Sequence, residues 1–182
     1  MRTPERLMTR RLILRQYTKK DFNDFYKLIK NESVIKNLNI KPEYQTLDGA
    51  NALLSTILNS YDTSGTILAL VISNKENENY LGTCGIKSQK NCAVAKCFYA
   101  LLPLNRGYGF AIEAMLKLFE YAFEVLAFLK IVTYIHPKSS HAWKVAERIG
   151  MKYMGQIRHK NFIPHAMFFS IEKEEYKVQH LY

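Results

Sequence analysis

The feature that most constrains this chain is a glycine turn between an apolar strand and a long apolar helix. The turn reads Arg106-Gly107-Tyr108-Gly109, and Pro103 precedes it. Apolar residues then recur at helical spacing: Phe110, Ala111, Ala114, Met115, Leu118, Phe119, Ala122 and Phe123. The first N–H groups of a helix have no intrahelical partner, and the helix dipole attracts negative charge there. Because glycine lacks a Cβ, a ligand can approach this backbone closely. The sequence therefore predicts a phosphate-bearing ligand at residues 106–111.

The spacing of the turn narrows the class of phosphate site. A Walker loop requires Lys followed by Ser or Thr after its second glycine, and Phe110 and Ala111 stand there instead. A dinucleotide fingerprint requires three glycines and an acidic residue about twenty positions further on, where this chain has Lys130. Both classes are therefore disfavoured. The alternative that the two glycines only ease a tight strand-to-helix turn stays open on these residues alone.

Strand and helix patterns along the chain predict one α/β domain over residues 1–182. The predicted strands are at 11–15, 66–73, 80–86, 93–102, 130–136, 152–157 and 165–172, with turns at 74–79 and 87–91. The predicted helices are at 18–29, 110–123 and 137–149, with a further helix that starts at Thr46 or Asp48 and ends near residue 60. Residues 31–44 are expected to form short helical turns and loop, and a polar tail follows residue 172. Strands that follow one another through short turns favour antiparallel pairing. We therefore expect a mixed, mostly antiparallel sheet flanked by helices.

Composition excludes several functional classes. No apolar run is long enough to span a membrane, and no apolar segment follows the charged N-terminus, so neither an anchor nor a signal peptide is expected. Cys84, Cys92 and Cys97 lack metal-ligand spacing and are typical of small buried hydrophobes or of free thiols in a reducing cytoplasm, so no metal is expected.

The formal charge of +10 is concentrated near the N-terminus. It could attract an acidic cofactor, an acidic protein or RNA, or it could form a solvated basic face. No nucleic-acid-binding motif accompanies it, so nucleic acid is not an expected partner.

Residues 106–111 resemble the Arg/Gln-x-x-Gly-x-Gly/Ala motif of the GNAT N-acetyltransferases. Residues 9–15 resemble the Thr-x-Arg-Leu-x-Leu-Arg opening of the RimJ/RimL branch of that family. The flanking Tyr99-x-Leu101-x-Pro103 and Glu113-Ala114 are similar to the same branch. The predicted element order is also that of the GNAT fold, so the resemblance covers nearly the whole chain.

This resemblance implies an N-acetyltransferase that transfers the acetyl group of acetyl-CoA to an amine, either a protein N-terminus or a small molecule. It implies that pyrophosphate binds the loop formed by Arg106, Gly107, Tyr108, Gly109, Phe110 and Ala111. It also implies that the backbone of Tyr99, Ala100 and Leu101 pairs with the pantetheine arm, with Ser139 as a further candidate. We expect a monomer or homodimer. The alternative is a catalytically degenerate acyl-CoA-binding regulatory module.

The sequence departs from the family pattern where catalysis is concerned. An asparagine and a serine of the family motif are replaced by Ser139 and Ala142, and Ser139 could instead cap the helix that follows it. No carboxylate stands in the strand at 80–86, and Ala146 takes the place of a tyrosine acid. The catalytic residues stay unknown, with His136 and His141 as candidates that could instead be structural.

Two further residues of these helices are interpreted as structural. Glu113 lies in the first turn of the central helix, where a carboxylate interacts favourably with the helix dipole, so it is interpreted as a stabilising charge and not as a base. Trp143, the sole tryptophan, is predicted to pack in the core.

Overall fold

The computed structural model describes residues 1–62, 65–89, 93–159 and 162–180, which form one eight-stranded sheet and the helices that cover it. The strands are β1 (Arg6–Met8), β2 (Leu12–Arg15), β3 (Ile67–Asn74), β4 (Tyr80–Ser88), β5 (Val94–Leu101), β6 (Lys130–Ile135), β7 (Lys152–His159) and β8 (Phe162–Glu172). The helices are α1 (Phe22–Ile29), α2 (Glu32–Leu38), α3 (Leu47–Ser60), α4 (Phe110–Glu124), α5 (Ser140–Arg148) and α6 (Lys173–His180).

The sheet is antiparallel except at one place. Its strand order is β1-β2-β3-β4-β5-β6-β8-β7, and the one parallel pair among the described strands is β5 with β6. Parallel neighbours need a long crossover, which α4 supplies here. The predicted mixed, mostly antiparallel architecture is confirmed.

Helices pack on both faces of the sheet and enclose two apolar cores. On one face, α4 buries Met115, Leu118 and Phe119 completely, and α5 and α6 extend this core. On the other face, α1 and α3 cover Ala69 and Val71 of β3.

A hydrogen bond of 3.0 Å between the hydroxyls of Tyr17 and Tyr80 lies inside the second core. A buried pair of hydroxyls costs little when each satisfies the other.

Glycines in β4 allow the backbones of the neighbouring strands to approach closely. A Cβ on Gly82 would lie 2.1 Å from the carbonyl oxygen of Ala100 in β5, and one on Gly85 would lie 2.3 Å from the carbonyl oxygen of Leu68. The pairing of β3 with β4 also shifts register beside Gly82.

Several sequence-based expectations need correction. The polar tail forms α6, whose Tyr176 is buried against Phe123, and the short β1 was not predicted. Trp143 is 38% exposed, so its assignment to the core is wrong: α5 turns Ala146 and Ile149 inward instead. Cys84 and Cys97 are buried as expected, whereas Cys92 and part of the turn at 87–91 lie outside the described residues.

Candidate cofactor site

The glycine turn ends in a left-handed residue that starts α4. Gly107 has φ +89° and Gly109 has φ +79°, a backbone region that L side chains rarely adopt. Gly109 is the N-cap of α4 and provides no side-chain capping group. A Cβ on Gly107 would meet no atom within 4 Å, so the turn faces open space.

The backbone N–H groups of residues 107–112 are free over the described part of the chain. Their recorded neighbours on either side are paired: the amide of Arg106 donates to Pro103 and that of Glu113 donates to Gly109. Consecutive free amides at a helix N-terminus attract an anion because the dipole and the donors act together. The geometry thus agrees with the predicted phosphate site.

β5 and β6 separate toward the end of β5 that precedes this turn. The two strands pair only where Val94–Lys96 meets Lys130–Val132. Beyond it, Tyr99, Ala100 and Leu101 pair with β4 on one side, and no described strand pairs with their other side. An extended ligand with amide groups can therefore add to this edge of β5.

Arg106 holds the turn in place with its side chain. Its Nε donates to the carbonyl oxygen of Leu101 at 3.1 Å, and its Nη2 donates to Ser33 Oγ at 2.8 Å. Ser33 Oγ in turn donates to Oδ1 of Asn31, the residue that caps α2. The guanidinium of the predicted motif therefore ties the turn to β5 and α2, and the free amides are left to meet a ligand.

Glu113 joins the first turn of α4 to the β1–β2 connection. Its Oε1 accepts from Thr9 Oγ1 at 2.6 Å and from the amide of Arg11 at 2.8 Å, and its Oε2 accepts from Arg11 Nε at 2.7 Å. Burial opposes ionisation, but these hydrogen bonds outweigh it and hold the pKa of Glu113 below its usual value. A carboxylate so paired is a structural anion, which agrees with its interpretation as a stabilising charge.

The guanidinium of Arg11 lies against the turn itself. Its Nη1 donates to the carbonyl oxygen of Tyr108 at 3.0 Å, and its Cζ lies 4.8 Å from the ring centroid of Phe110. Sequence reasoning missed Arg11 and Ser33 as neighbours of the site. Both come from segments far from the glycine motif. Arg11 is part of the opening at residues 9–15, but no local pattern marks its contact with the turn.

The segment in which Ser139 and Ala142 depart from the family motif begins between β6 and α5. Ser139 occupies the N-cap position of α5, as the alternative interpretation expects, but its hydroxyl makes no capping hydrogen bond. Its amide donates to the carbonyl oxygen of His136 at 2.8 Å. The half-exposed Ser139 hydroxyl therefore has no capping role that would prevent contact with a ligand.

The two candidate histidines differ in their surroundings. His136 Nδ1 accepts a hydrogen bond of 3.1 Å from the amide of Lys138, which in the neutral ring leaves the proton on Nε2. His141 is exposed and has no hydrogen-bond partner among the described residues. Ala146, at the position of the family's tyrosine acid, is buried in the core.

Among the described residues, no group of three or more His, Cys, Asp or Glu side chains could hold a metal ion. No helix in the same residues has the length and apolar content needed to cross a membrane.

Comparisons with known proteins agree with this geometry. A family model described as an acetyltransferase (GNAT) domain matches residues 11–152. An uncharacterized N-acetyltransferase, p20, from Bacillus licheniformis is 29% identical over 178 residues, covering 94% of this chain and 98% of that protein.

Solved structures share the fold. A spermidine N-acetyltransferase from Vibrio cholerae, in complex with CoA and spermine, superposes with a TM-score of 0.77 at 19% identity, covering 91% of this chain and 97% of that one. Mycobacterium smegmatis RimJ in complex with CoA-disulfide gives a TM-score of 0.76 at 15% identity, covering 90% and 83%.

Proposed function

Because the chain belongs to the family of acetyltransferase (GNAT) domains, we propose that it is an N-acetyltransferase that uses acetyl-CoA. The acceptor is an amine, either of a protein N-terminus or of a small molecule. The motifs at residues 9–15 and 99–114 favour the RimJ/RimL branch. The CoA present in the solved spermidine N-acetyltransferase and RimJ complexes supports the same cosubstrate here.

One observation carries the proposal: the edge of β5 with which no described strand pairs is followed, after residues 102–106, by the free amides of the α4 N-terminus. Coenzyme A has an extended arm with two amide groups, and a diphosphate follows it. The edge at Tyr99, Ala100 and Leu101 suits the arm. The turn from Arg106 through Gly107, Tyr108, Gly109 and Phe110 to Ala111 suits the diphosphate. Ser139, beyond β6, is proposed to contact the same arm.

In the proposed reaction the neutral amine nitrogen attacks the thioester carbonyl carbon. The C–S bond then breaks, the thiolate leaves and takes up a proton, and the amine nitrogen loses one. A free backbone N–H near the place where β5 and β6 separate can polarise the carbonyl oxygen.

Deprotonation depends on the acceptor, because an α-amine has a reference pKa near 8 and a lysine amine one near 10.4. An α-amine therefore needs less help from a base. His136 and His141 are the residues to test for that role.

Calorimetry with CoA and a mass-spectrometric acetylation screen over peptides and small amines test the proposal. Gly109→Asp adds a Cβ and a negative charge beside the free amides, so we expect CoA affinity to fall at least about tenfold. Gly155→Asp is the matched control, because Gly155 also has a positive φ and open space but lies in β7.

Each outcome has a defined meaning. Equal CoA affinity in the two folded variants would refute the assignment of the turn. CoA binding without turnover on any amine would instead support a regulatory acyl-CoA-binding module.

A further inference from the structure

We propose that Arg11 is a phosphate-binding residue of the cofactor site, presented to the ligand by Glu113. This inference rests on the proposed use of CoA and adds a residue that lies outside the glycine motif. The side chain reaches the site from the β1–β2 connection, 97 positions before Tyr108, whose carbonyl oxygen it contacts.

The hydrogen bonds of Arg11 fix which of its atoms faces the site. Nε donates to Glu113 at 2.7 Å and Nη1 donates to Tyr108 at 3.0 Å. Nη2 has no acceptor among the described residues, and it would lie 3.5 Å from a Cβ placed on Gly109. A free cationic donor therefore stands directly beside the free amides of the turn.

The pairing with Glu113 explains why a phosphate site beside the α4 N-terminus needs the positive charge of Arg11. An unpaired carboxylate in the first turn of α4 would repel a phosphate bound at the same N-terminus. Arg11 neutralises that carboxylate with Nε and its own amide, and Nη2 stays available. Guanidinium groups bind phosphate oxygens through charge-assisted hydrogen bonds, which are stronger than bonds between neutral groups.

Rigidity favours the same role. The Arg11 side chain is 44% exposed, yet two hydrogen bonds and the face of Phe110 hold its guanidinium. An arginine held before binding loses less rotamer entropy when it contacts the ligand. Arg10 next to it is exposed and has no polar contact in the described part of the chain, so it serves as a matched control.

Calorimetry of CoA binding to four proteins tests the inference: wild type, Arg11→Gln, Arg10→Gln and the double variant Arg11→Gln/Glu113→Gln. We expect Arg11→Gln to weaken binding about tenfold, which equals about 1.4 kcal/mol, and Arg10→Gln to change it less than about twofold. The double variant also lacks the repelling carboxylate, and we expect it to stay about tenfold weaker than wild type because the donor is gone.

The outcomes separate the alternatives. Equal affinity of Arg11→Gln and Arg10→Gln overturns the inference, and so does recovery of wild-type affinity in the double variant, which would show that Arg11 only neutralises Glu113. Failure of wild type to bind CoA refutes the proposed function instead.

Unfolding midpoints without ligand check that each variant folds. If Arg11→Gln does not fold, Arg11→Lys keeps a cation beside Glu113 without the forked donor, and an affinity equal to wild type would overturn the inference. Calorimetry with dephospho-CoA, which lacks the 3′-phosphate, then identifies the phosphate that Arg11 contacts. If Arg11→Gln weakens the binding of dephospho-CoA as much as that of CoA, the contact is to the diphosphate. If it does not weaken the binding of dephospho-CoA, the contact is to the 3′-phosphate.

Discussion

The buried ion pair of Arg15 and Asp21 predicts a stability that depends on pH. Arg15 Nη2 and Nη1 donate to Asp21 Oδ1 and Oδ2 at 2.7 and 2.9 Å, and the amide of Thr18 donates to Oδ2 at 2.7 Å. The side chains are only 16% and 7% exposed. The pair fastens the end of β2 to the start of α1, and Asp21→Asn removes its charge while keeping its shape.

The magnitude follows from what the substitution leaves behind. Removing one partner of a buried pair costs about 3–5 kcal/mol because the other charge stays uncompensated. Arg15 is not fully buried and also donates to the carbonyl oxygen of Gln16 at 3.1 Å, so we expect a smaller cost than for a fully buried pair, about 2–4 kcal/mol. For a chain of this length about 1 kcal/mol shifts the unfolding temperature by about 2–4 °C, so we expect a fall of about 4–16 °C.

The pH dependence has a definite sign. Burial opposes ionisation of Asp21, but the hydrogen bonds from Arg15 and Thr18 outweigh it and hold its pKa below the usual value. A carboxyl with a lowered folded-state pKa stabilises the fold above its unfolded pKa of about 3.9, and that stability is lost as the pH falls through the folded value. The gap between wild type and Asp21→Asn should therefore be full at pH 7 and shrink below about pH 4.

Calorimetric unfolding of both proteins between pH 7 and pH 3 measures this gap. Asp24→Asn is the control, because Asp24 is 43% exposed and pairs with Lys27 on the surface. It should change stability by less than about 0.5 kcal/mol. A gap below about 2 °C at pH 7, or a gap of equal size at pH 7 and pH 3, would refute the reasoning.

Two further substitutions test contacts beside the cofactor site. Ser33→Ala removes an acceptor of the Arg106 guanidinium, so we expect the KM for acetyl-CoA to rise about two- to tenfold. The control is Ser55→Ala at an exposed position of α3, for which we expect an unchanged KM. Equal KM values in the two variants would contradict a role in holding the turn. Gly82→Ala places a Cβ against the Ala100 carbonyl, so we expect a loss of about 1–3 kcal/mol in urea unfolding, and an unchanged midpoint would contradict the close approach.

The order of strands and helices could be predicted because most elements carry a local pattern. The apolar runs of β3 and α4 are long, and the N-cap of α3 is Thr46, whose side chain accepts from the amide of Gly49. The elements that were missed lack such patterns. β1 has three residues and exists because it pairs with β2. α6 is polar apart from Tyr176, which reaches the core, and Val178, which is exposed. Tertiary contacts decide both.

The site divides in the same way. The glycines and the strand before them follow a local rule, since positive φ and a helix N-terminus are properties of consecutive residues. The contacts that hold the turn do not: Arg106 meets Ser33 across 73 positions, and Arg11 meets Glu113 across 102. No periodicity relates such residues, so only the folded chain brings them together.

The two arginines therefore differ in the roles that we assign to them: Arg106 holds the turn, and Arg11 offers a donor to the ligand. Arg106 belongs to the glycine motif, and its Nε and Nη2 donate within the protein and hold the turn in place, whereas Arg11 lies outside the glycine motif and keeps Nη2 free beside the amides. A contribution from charge is screened by salt, and one from geometry is not. The affinity lost in Arg11→Gln should therefore shrink as ionic strength rises from 0.05 to about 0.5 M, while the loss in Ser33→Ala should stay constant. Equal salt dependence of the two losses would show that both arginines act through the shape of the turn.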